Sequence, residues 1–150
     1  MKIISHRGNI DGPIVSIENS PSYIQTAILL GVDVEVDIRF NSGFFLGHDT
    51  ETYEVTPSWI LEYHQNIWFH CKNLDSAYNL KSLNNNIKYF CHSSDPYVLI
   101  SNGKYWVHDL SLNLTNDCIV PLIDKNSVLS FSNNNVFGIC TDFIKYYDIL

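Results

Sequence analysis

The sequence predicts a single α/β domain, residues 1–150, built from parallel βα units. Apolar stretches of strand length alternate in the first half with segments whose apolar residues recur at helical spacing, and this alternation favours a parallel sheet. The chain shows no repeat of fixed period and no proline-rich linker. Hydrophobic residues make up 45% of its 150 residues, which is enough for one buried core.

The first part of the chain is predicted to contain two strands around a helix. Lys2–Ser5 is the first strand, and Glu18–Leu30 is the helix, with Pro21 near its first turn and Gly31 after its end. Val32–Phe40 alternates apolar with charged residues, which predicts the second strand. The charged face of that strand must point either to solvent or into a functional site.

The rest of the chain continues with short strands and fewer helices. Two further helices are expected, at Pro57–His64 and Leu74–Leu83. The further strands are expected at Gly43–Gly47, Ile67–Cys71, Lys88–Cys91, Tyr97–Ile100, Lys104–His108, Cys118–Ile123 and Val136–Cys140. Eight or so strands can be counted, whereas a full eightfold (β/α) barrel usually needs about 250 residues. If the sheet closes into a barrel, several outer helices of the second half must be missing or reduced to turns.

Composition and charge argue against several classes of protein. The net charge of −7 offers no basic field to a polyanion, so no nucleic-acid partner is expected. No apolar run approaches the roughly 20 residues of a membrane span, and the N-terminus lacks a secretory signal pattern. The four widely spaced cysteines form no CxxC pair, and a reducing, cytoplasmic location is expected.

Ionisable side chains stand on or directly after four of the predicted strands. Functional residues of parallel α/β folds collect at the carboxyl ends of the strands and in the loops that follow. This rule brings seven residues of the chain to one mouth: His6, Arg7, Glu35, Asp37, His48, His70 and Lys72. Their convergence predicts a functional site more strongly than any single motif.

Glu35 and Asp37 are candidate metal ligands. Because they are two residues apart on a strand, they point to the same face, and two carboxylates on one face repel unless a cation lies between them. Such oxygen ligands suit Mg²⁺, Ca²⁺ or Mn²⁺. The alternative is a solvated strand face, but His6 and His48 at neighbouring strand ends favour the metal site.

His6 and His48 are candidates for proton transfer. Imidazole titrates near neutral pH, and two histidines beside a phosphate can act as general base and general acid. Arg7 offers a planar bidentate fork for a phosphoryl oxygen. The alternative for each histidine is a structural hydrogen bond, and the alternative for Arg7 is an ion pair with Glu18 or Asp33.

Four motifs in a fixed order carry a family resemblance: His6-Arg7-Gly8, Glu18-Asn19-Ser20, Gly31–Asp37 and His48-Asp49. Together they resemble the signature of the glycerophosphodiester phosphodiesterases. That family is a TIM-barrel branch of the phosphatidylinositol-phospholipase-C-like phosphodiesterases. The resemblance implies a reduced (β/α)8 TIM barrel with helices shortened or missing in the second half.

The activity implied by the resemblance is metal-dependent hydrolysis of a small phosphodiester to an alcohol and a phosphomonoester. In that reaction His6 and His48 would be the acid/base pair, and Arg7 and Lys72 would contact the phosphate. Two alternatives stay open. One is a degenerate barrel that binds a phosphate-bearing ligand without cleaving it, and the other is a phospholipase-D-like lyase that forms a cyclic phosphate.

The resemblance also implies one divalent metal, held by Glu35 and Asp37. Glu18 would be a further ligand or would orient the nearby arginine, and Asn19 would cap the adjacent helix. The family usually carries Glu-x-Lys on the next strand, where the glutamate is a third ligand. This chain has His70 in that place, which either shifts the preference from Mg²⁺ or Ca²⁺ toward Mn²⁺ or Zn²⁺ or weakens the site.

A second departure from the family is the short chain. A compact set of similar proteins shares several later segments with this sequence, and this makes His92 and Asp142 candidates for the mouth of the barrel. The segment between His48 and Trp68 is short, so an open and shallow substrate pocket is expected. Open strand edges or thin helical cover would favour a homodimer.

Overall fold

The computed structural model describes residues 1–133 and 135–147. Ten strands in these residues form one sheet: β1 Lys2–His6, β2 Asp33–Phe40, β3 Phe44–Leu46, β4 Tyr53–Val55, β5 Ile67–Cys71, β6 Lys88–Phe90, β7 Tyr97–Leu99, β8 Tyr105–Val107, β9 Cys118–Leu122 and β10 Gly138–Thr141. The same residues contain four α-helices and a final 3₁₀ turn: α1 Pro21–Leu29, α2 Pro57–Tyr63, α3 Leu74–Leu83, α4 Lys125–Ser130 and the turn Ile144–Tyr147.

Seven strands of the sheet are parallel, in the order β6-β5-β2-β1-β10-β9-β8. Antiparallel strands extend this set at two places. The hairpin of β3 and β4 pairs with the end of β2, and β7 pairs with β8. Because β1 lies between β2 and β10, the first and last strands of the chain are neighbours in the middle of the sheet.

The prediction of a reduced (β/α)8 TIM barrel is wrong. The sheet has ten strands of mixed direction, and the described part of the chain has four helices and no β6–β8 pairing that would close the parallel strands into a ring. The physical reason lies in the connections. From β6 to β9 the chain runs through a hairpin and loops, without the crossover helices that an eightfold barrel repeats after each strand.

Helix α1 begins later than the sequence predicts. Ser20 is its N-cap, where the side-chain oxygen accepts a hydrogen bond from the backbone N–H of Tyr23 at 3.3 Å, and Pro21 occupies the first turn. Asn19 has a φ of 62°, which excludes it from the helix. None of the helices in the described ranges is long and apolar enough to span a membrane.

Successive side chains of the strands point to opposite faces of the sheet and so belong to two different apolar clusters. Val34, Val36 and Phe69 face the helices and belong to the larger core, which α1, α2 and α3 cover. Ile4 and Trp68 point to the opposite face of the same strands, where they pack in a second cluster with aromatic residues of β6 and β8. The successive side chains of a strand therefore serve different layers of the molecule.

The charged face of β2 points into the protein and not to solvent. Asp33, Glu35 and Asp37 are 3%, 2% and 0% exposed. Asp33 lies at the start of the strand, where its carboxylate accepts hydrogen bonds from Lys2 Nζ at 3.0 Å and from the indole N–H of Trp68 at 2.8 Å. Glu35 and Asp37 lie farther along the strand, toward the edge where the candidate site is found.

Candidate functional site

Glu35, Asp37 and His70 form a compact group of potential metal ligands. The register between β2 and β5 places Asp37 opposite His70. The Nδ1 atom of His70 lies 3.1 Å from Asp37 Oδ1 and 3.6 Å from Glu35 Oε1. One ligand atom from each residue lies within 4.8 Å of the other two. This is the set that the sequence predicts as metal ligands.

The donor atoms of this group fit a cation. Glu35 Oε2 and Asp37 Oδ1 are buried and make no hydrogen bond of normal geometry within the described residues. The Nε2 atom of His70 lies 3.4 Å from the backbone oxygen of His92, and because a carbonyl can only accept, Nε2 carries the proton. Once Nδ1 is deprotonated, its lone pair would be directed at the carboxylates, an arrangement typical of metal-binding histidines.

A proton competes with a cation for His70. Burial by itself would lower the pKa of His70, but the neighbouring carboxylates of Asp37 and Glu35 raise it to about 9. An imidazolium therefore balances part of the negative charge when no cation is bound. A cation that uses Nδ1 must displace this proton, so its binding is coupled to pH.

Asp37 is surrounded by positive groups and one amide. Arg7 Nε lies 3.0 Å from its Oδ2 atom, and Lys72 Nζ lies 3.5 Å from its Oδ1 atom. Asn19 Nδ2 donates to Oδ2 at 3.1 Å. Burial alone would raise the pKa of Asp37, but the contacts with His70, Arg7 and Lys72 outweigh burial and hold it well below its usual range.

Arg7 and Glu18 form the ion pair that the sequence leaves open as an alternative. Arg7 Nη1 donates to Glu18 Oε2 at 3.1 Å, whereas Asp33 pairs with Lys2 at the other end of the strand. Glu18 also accepts a hydrogen bond from Asn9 at 2.9 Å and is not among the clustered ligands of the described residues. The position of Glu18 thus suits orientation of the arginine.

His6 is held by a buried carboxylate. Its Nδ1 atom lies 2.8 Å from Asp142 Oδ1, and its Nε2 atom lies 3.8 Å from Glu35 Oε2. Because Asp142 accepts the Nδ1 proton, Nε2 is the nitrogen left for chemistry. Burial alone would lower the pKa of His6, but the hydrogen bond to Asp142 and the charge of Glu35 raise it.

Asn9 is a site residue that the sequence analysis misses. Its side-chain N–H₂ group donates to Glu18 at 2.9 Å and to Asp142 at 2.8 Å, and its side chain is fully buried. It therefore joins the partner of Arg7 to the partner of His6. Its position directly after the His6-Arg7-Gly8 turn is the only sequence signal that points to it.

His48 lies on the loop after β3. Its Nδ1 atom is 2.7 Å from Asp49 Oδ1, so His48 and His6 share the same imidazole–carboxylate arrangement. Arg39, which the sequence analysis also misses, fixes the loop by donating to the carbonyls of Gly47 at 2.9 Å and His48 at 3.1 Å. Gly47 has a φ of 143°, and a Cβ there would collide with the backbone of Thr50.

The predicted site residues line two cavities that share part of their lining. A cavity of about 360 Å³ is bordered by His6, Arg7, Glu35, His48, His70 and Lys72. A second cavity, of about 530 Å³, is also bordered by His6, Arg7 and His48. Asn19 and Asp142 border the larger cavity, and His92 borders the smaller one. The structure thus brings the predicted residues to one mouth, with Asp37 buried beneath it.

His92 and His108 stand side by side in the smaller cavity. Their rings stack with centroids 3.9 Å apart and planes 17° apart. Burial, together with the charge of nearby His70, lowers the pKa of His92. Burial and the neighbouring histidines lower the pKa of His108 to about 4. Both rings are therefore neutral at physiological pH.

Comparisons with models of known families, with curated proteins and with solved structures give no match. The resemblance to glycerophosphodiester phosphodiesterases therefore remains a prediction from the motifs.

Proposed function

We propose that this protein is a metal-dependent phosphodiester hydrolase. The observation that carries the proposal is the buried group of Glu35, Asp37 and His70, which lies beneath a cavity bordered by His6 and His48. Two carboxylates and an imidazole supply ligands for a cation. Two further imidazoles supply proton transfer at the same mouth.

Glu35, Asp37 and His70 would hold one divalent cation, and the nitrogen donor favours Mn²⁺ or Zn²⁺ over Ca²⁺. When bound there, the cation would act as a Lewis acid toward a phosphoryl oxygen. Its double charge would replace the proton on His70 and match the two buried carboxylates.

Arg7 and Lys72 would bind the phosphate. Arg7 uses Nε and Nη1 on Asp37 and Glu18, so Nη2 is the nitrogen with which it would donate to a phosphoryl oxygen. Lys72 Nζ borders the same cavity and lies 3.5 Å from Asp37. Both charges would stabilise the negative charge that develops on phosphorus during attack.

His6 and His48 would divide the proton transfers. As the oxygen of a water molecule forms its bond to phosphorus, one imidazole accepts the proton of that water. The phosphorus–oxygen bond to the alcohol breaks, and the other imidazole donates a proton to the leaving oxygen. The contacts of Asp142 and Asp49 with the two Nδ1 atoms would favour a proton there, so that Nε2 would perform each transfer. The products are an alcohol and a phosphomonoester.

The test is hydrolysis of bis(p-nitrophenyl) phosphate with Mn²⁺, Zn²⁺, Mg²⁺ or Ca²⁺, each compared with EDTA. We expect metal-dependent turnover, and we expect His6→Ala and His48→Ala each to lower kcat/KM at least about 100-fold. His64→Ala is the matched control, because His64 caps α2 and binds the Leu61 carbonyl. It should change kcat/KM less than about twofold.

The remaining outcomes separate the alternatives. Absence of metal-dependent turnover, or turnover that survives both histidine substitutions, would contradict the hydrolase. Calorimetric binding of Mn²⁺ and a phosphodiester without product would indicate a binding protein, and Asp37→Asn should then still abolish Mn²⁺ binding. A cyclic phosphate in the ³¹P NMR spectrum of a glycerophosphodiester reaction would indicate a lyase.

A further inference from the structure

The two cavities of the site share four lining residues. His6, Arg7, His48 and Ile123 border both of them. A phosphodiester has two organic arms on one phosphorus. If the phosphate lies at the shared residues, each cavity receives one arm, and the walls of each cavity select its chemistry.

The wall of the smaller cavity is a continuous set of ring systems. His70 stacks on Phe90 with centroids 5.0 Å apart and planes 7° apart, and Phe90 stacks on Trp106 at 4.6 Å and 22°. His92 and His108 add the close pair at 3.9 Å, and His92 lies 6.0 Å from His70. All five rings border this cavity.

The inner and outer rings of this wall differ in exposure. Phe90 and Trp106 are 2% and 3% exposed and belong to the apolar cluster beneath the site. His92 is half-buried and His108 is exposed. The two imidazoles therefore extend the buried aromatic stack toward the rim, where His108 is the exposed ring.

A hydrogen-bonding role does not account for His92. A structural histidine in a protein interior is normally satisfied at its ring nitrogens, but His92 Nδ1 is buried and has no hydrogen-bond partner in the part of the chain that the structure describes. The ring of His92 instead stacks on His108 and lies tilted by 42° against His70.

The larger cavity has a different lining. Ser16, Thr50, Thr52 and Tyr53 contribute hydroxyl groups to it, beside the short apolar side chain of Val15. Apart from the imidazoles of His6 and His48, which border both cavities, Tyr53 is the single aromatic ring among its described lining residues. The two arms of a bound diester would therefore meet walls of unlike chemistry.

We propose that His92 and His108 form a stacking subsite for a planar aromatic group on one arm of the substrate. The subsite rests on the proposed function for the position of the phosphate at Arg7 and Lys72. An aromatic ring placed on the rim extends the existing stack by offset or edge-to-face contact, which is the preferred geometry of aromatic pairs. The protein thereby selects diesters that carry a planar ring over those with a saturated arm of the same size.

The experiment compares benzyl phosphate with cyclohexylmethyl phosphate, which have the same ring size and the same charge. Their dissociation constants are measured by calorimetry on the Zn²⁺-loaded protein. We expect benzyl phosphate to bind about two- to tenfold more tightly than the saturated analogue. Its ring current should also shift the ¹³C-labelled imidazole resonances of His92 and His108.

Two substitutions at the exposed ring complete the test. His108→Leu removes the ring and keeps an apolar side chain, so the preference for benzyl phosphate should disappear. His108→Phe keeps a ring and should retain the preference. Equal affinities for the two ligands in the unmodified protein, binding of neither ligand, or a preference that survives His108→Leu would overturn the subsite.

Both ligands are phosphomonoesters and have no diester bond to cleave, so their binding is measured independently of turnover. A preference for benzyl phosphate in a protein that does not hydrolyse bis(p-nitrophenyl) phosphate would support the subsite and contradict the hydrolase. Metal-dependent hydrolysis without this preference would support the hydrolase and contradict the subsite.

Discussion

Asn19 connects the backbone of the site to its most buried carboxylate. Its side chain donates to Asp37 Oδ2 at 3.1 Å and accepts from the backbone N–H of Asp37 at 2.9 Å. Its own N–H donates to the carbonyl of Arg7 at 3.0 Å. A φ of 62°, which asparagine tolerates better than most residues, permits this geometry. Asn19 is therefore a positioning residue for Asp37 as well as the residue before the cap of α1.

Asn19→Ala is expected to destabilise the protein by about 2–4 kcal/mol. The substitution removes two buried hydrogen bonds, one of them to an ionised carboxylate, and leaves the N–H of Asp37 unpaired. Urea unfolding measures the change. Asn79→Ala is the control, since Asn79 makes only an exposed bond to the Asp75 carbonyl, and it should cost less than about 0.5 kcal/mol. Equal losses for the two variants would contradict this role.

At the residue scale the sequence identifies charged groups more readily than their neutral or distant partners. His6, Glu35 and His70 stand out because their types are expensive to bury without a function. Asn9 and Arg39 do not stand out in the sequence, because amides and surface arginines are common in loops. Their roles depend on contacts with residues far along the chain, such as Asn9 with Asp142.

Asn73 performs two tasks at the level of the secondary structure. It caps α3, where its Oδ1 atom accepts from the N–H of Ser76 at 3.1 Å. The same side chain also accepts from the N–H of Phe40 at 3.1 Å and donates to the Phe40 carbonyl at 2.9 Å. The start of α3 is thereby fastened to the end of β2, directly beyond the candidate ligands.

Asn73→Ala should lower the free energy of unfolding by about 2 kcal/mol, because it removes a cap and two bonds between elements. Asp124→Ala is the comparison, since Asp124 caps α4 through Ser127 alone. It should cost about 1 kcal/mol. Chemical denaturation measures the free energy of unfolding of both variants. A smaller decrease for Asn73→Ala than for Asp124→Ala would show that the link to β2 is not stabilising.

The elements were predictable where periodicity was strong. The alternation in β2, the apolar run of β5 and the helical spacing of α3 each predict the observed element within a residue or two. Strand β4 and helix α4 are absent from the prediction because three and six residues are too few to show a period. The start of α1 is displaced because Asn19 is used in the site and not in the helix.

At the scale of the whole molecule, β1 joins the two halves of the chain. It pairs with β2 on one side and with β10 on the other. Ile4 in this strand is fully buried and packs with Trp68 from the first half and Ile119 from the second. The bond between His6 and Asp142, 136 positions apart, shows that the site also depends on this junction.

Ile4→Ala is expected to cost about 2–5 kcal/mol, the usual range for such a truncation in a closely packed core. Because both halves share this core, amide hydrogen exchange should accelerate by similar factors in β5 and β9. Ile14→Ala is the matched control, because Ile14 is 47% exposed, and it should have little effect. Acceleration confined to one half would show that the two halves unfold independently.

The local pattern of residues was sufficient to predict the strands around the site, the carboxyl-end position of its charged groups, and the pairing of Glu35 with Asp37. These follow from periodicity and from the cost of burying charge, which are properties of short segments. The tertiary structure alone decided that the sheet has, within residues 1–133 and 135–147, ten strands of mixed direction and no (β/α)8 closure. It also decided that His6 meets Asp142 and that His92 stacks on His108. Contacts of this kind depend on long-range strand order, which the lengths and turns of the connections determine jointly.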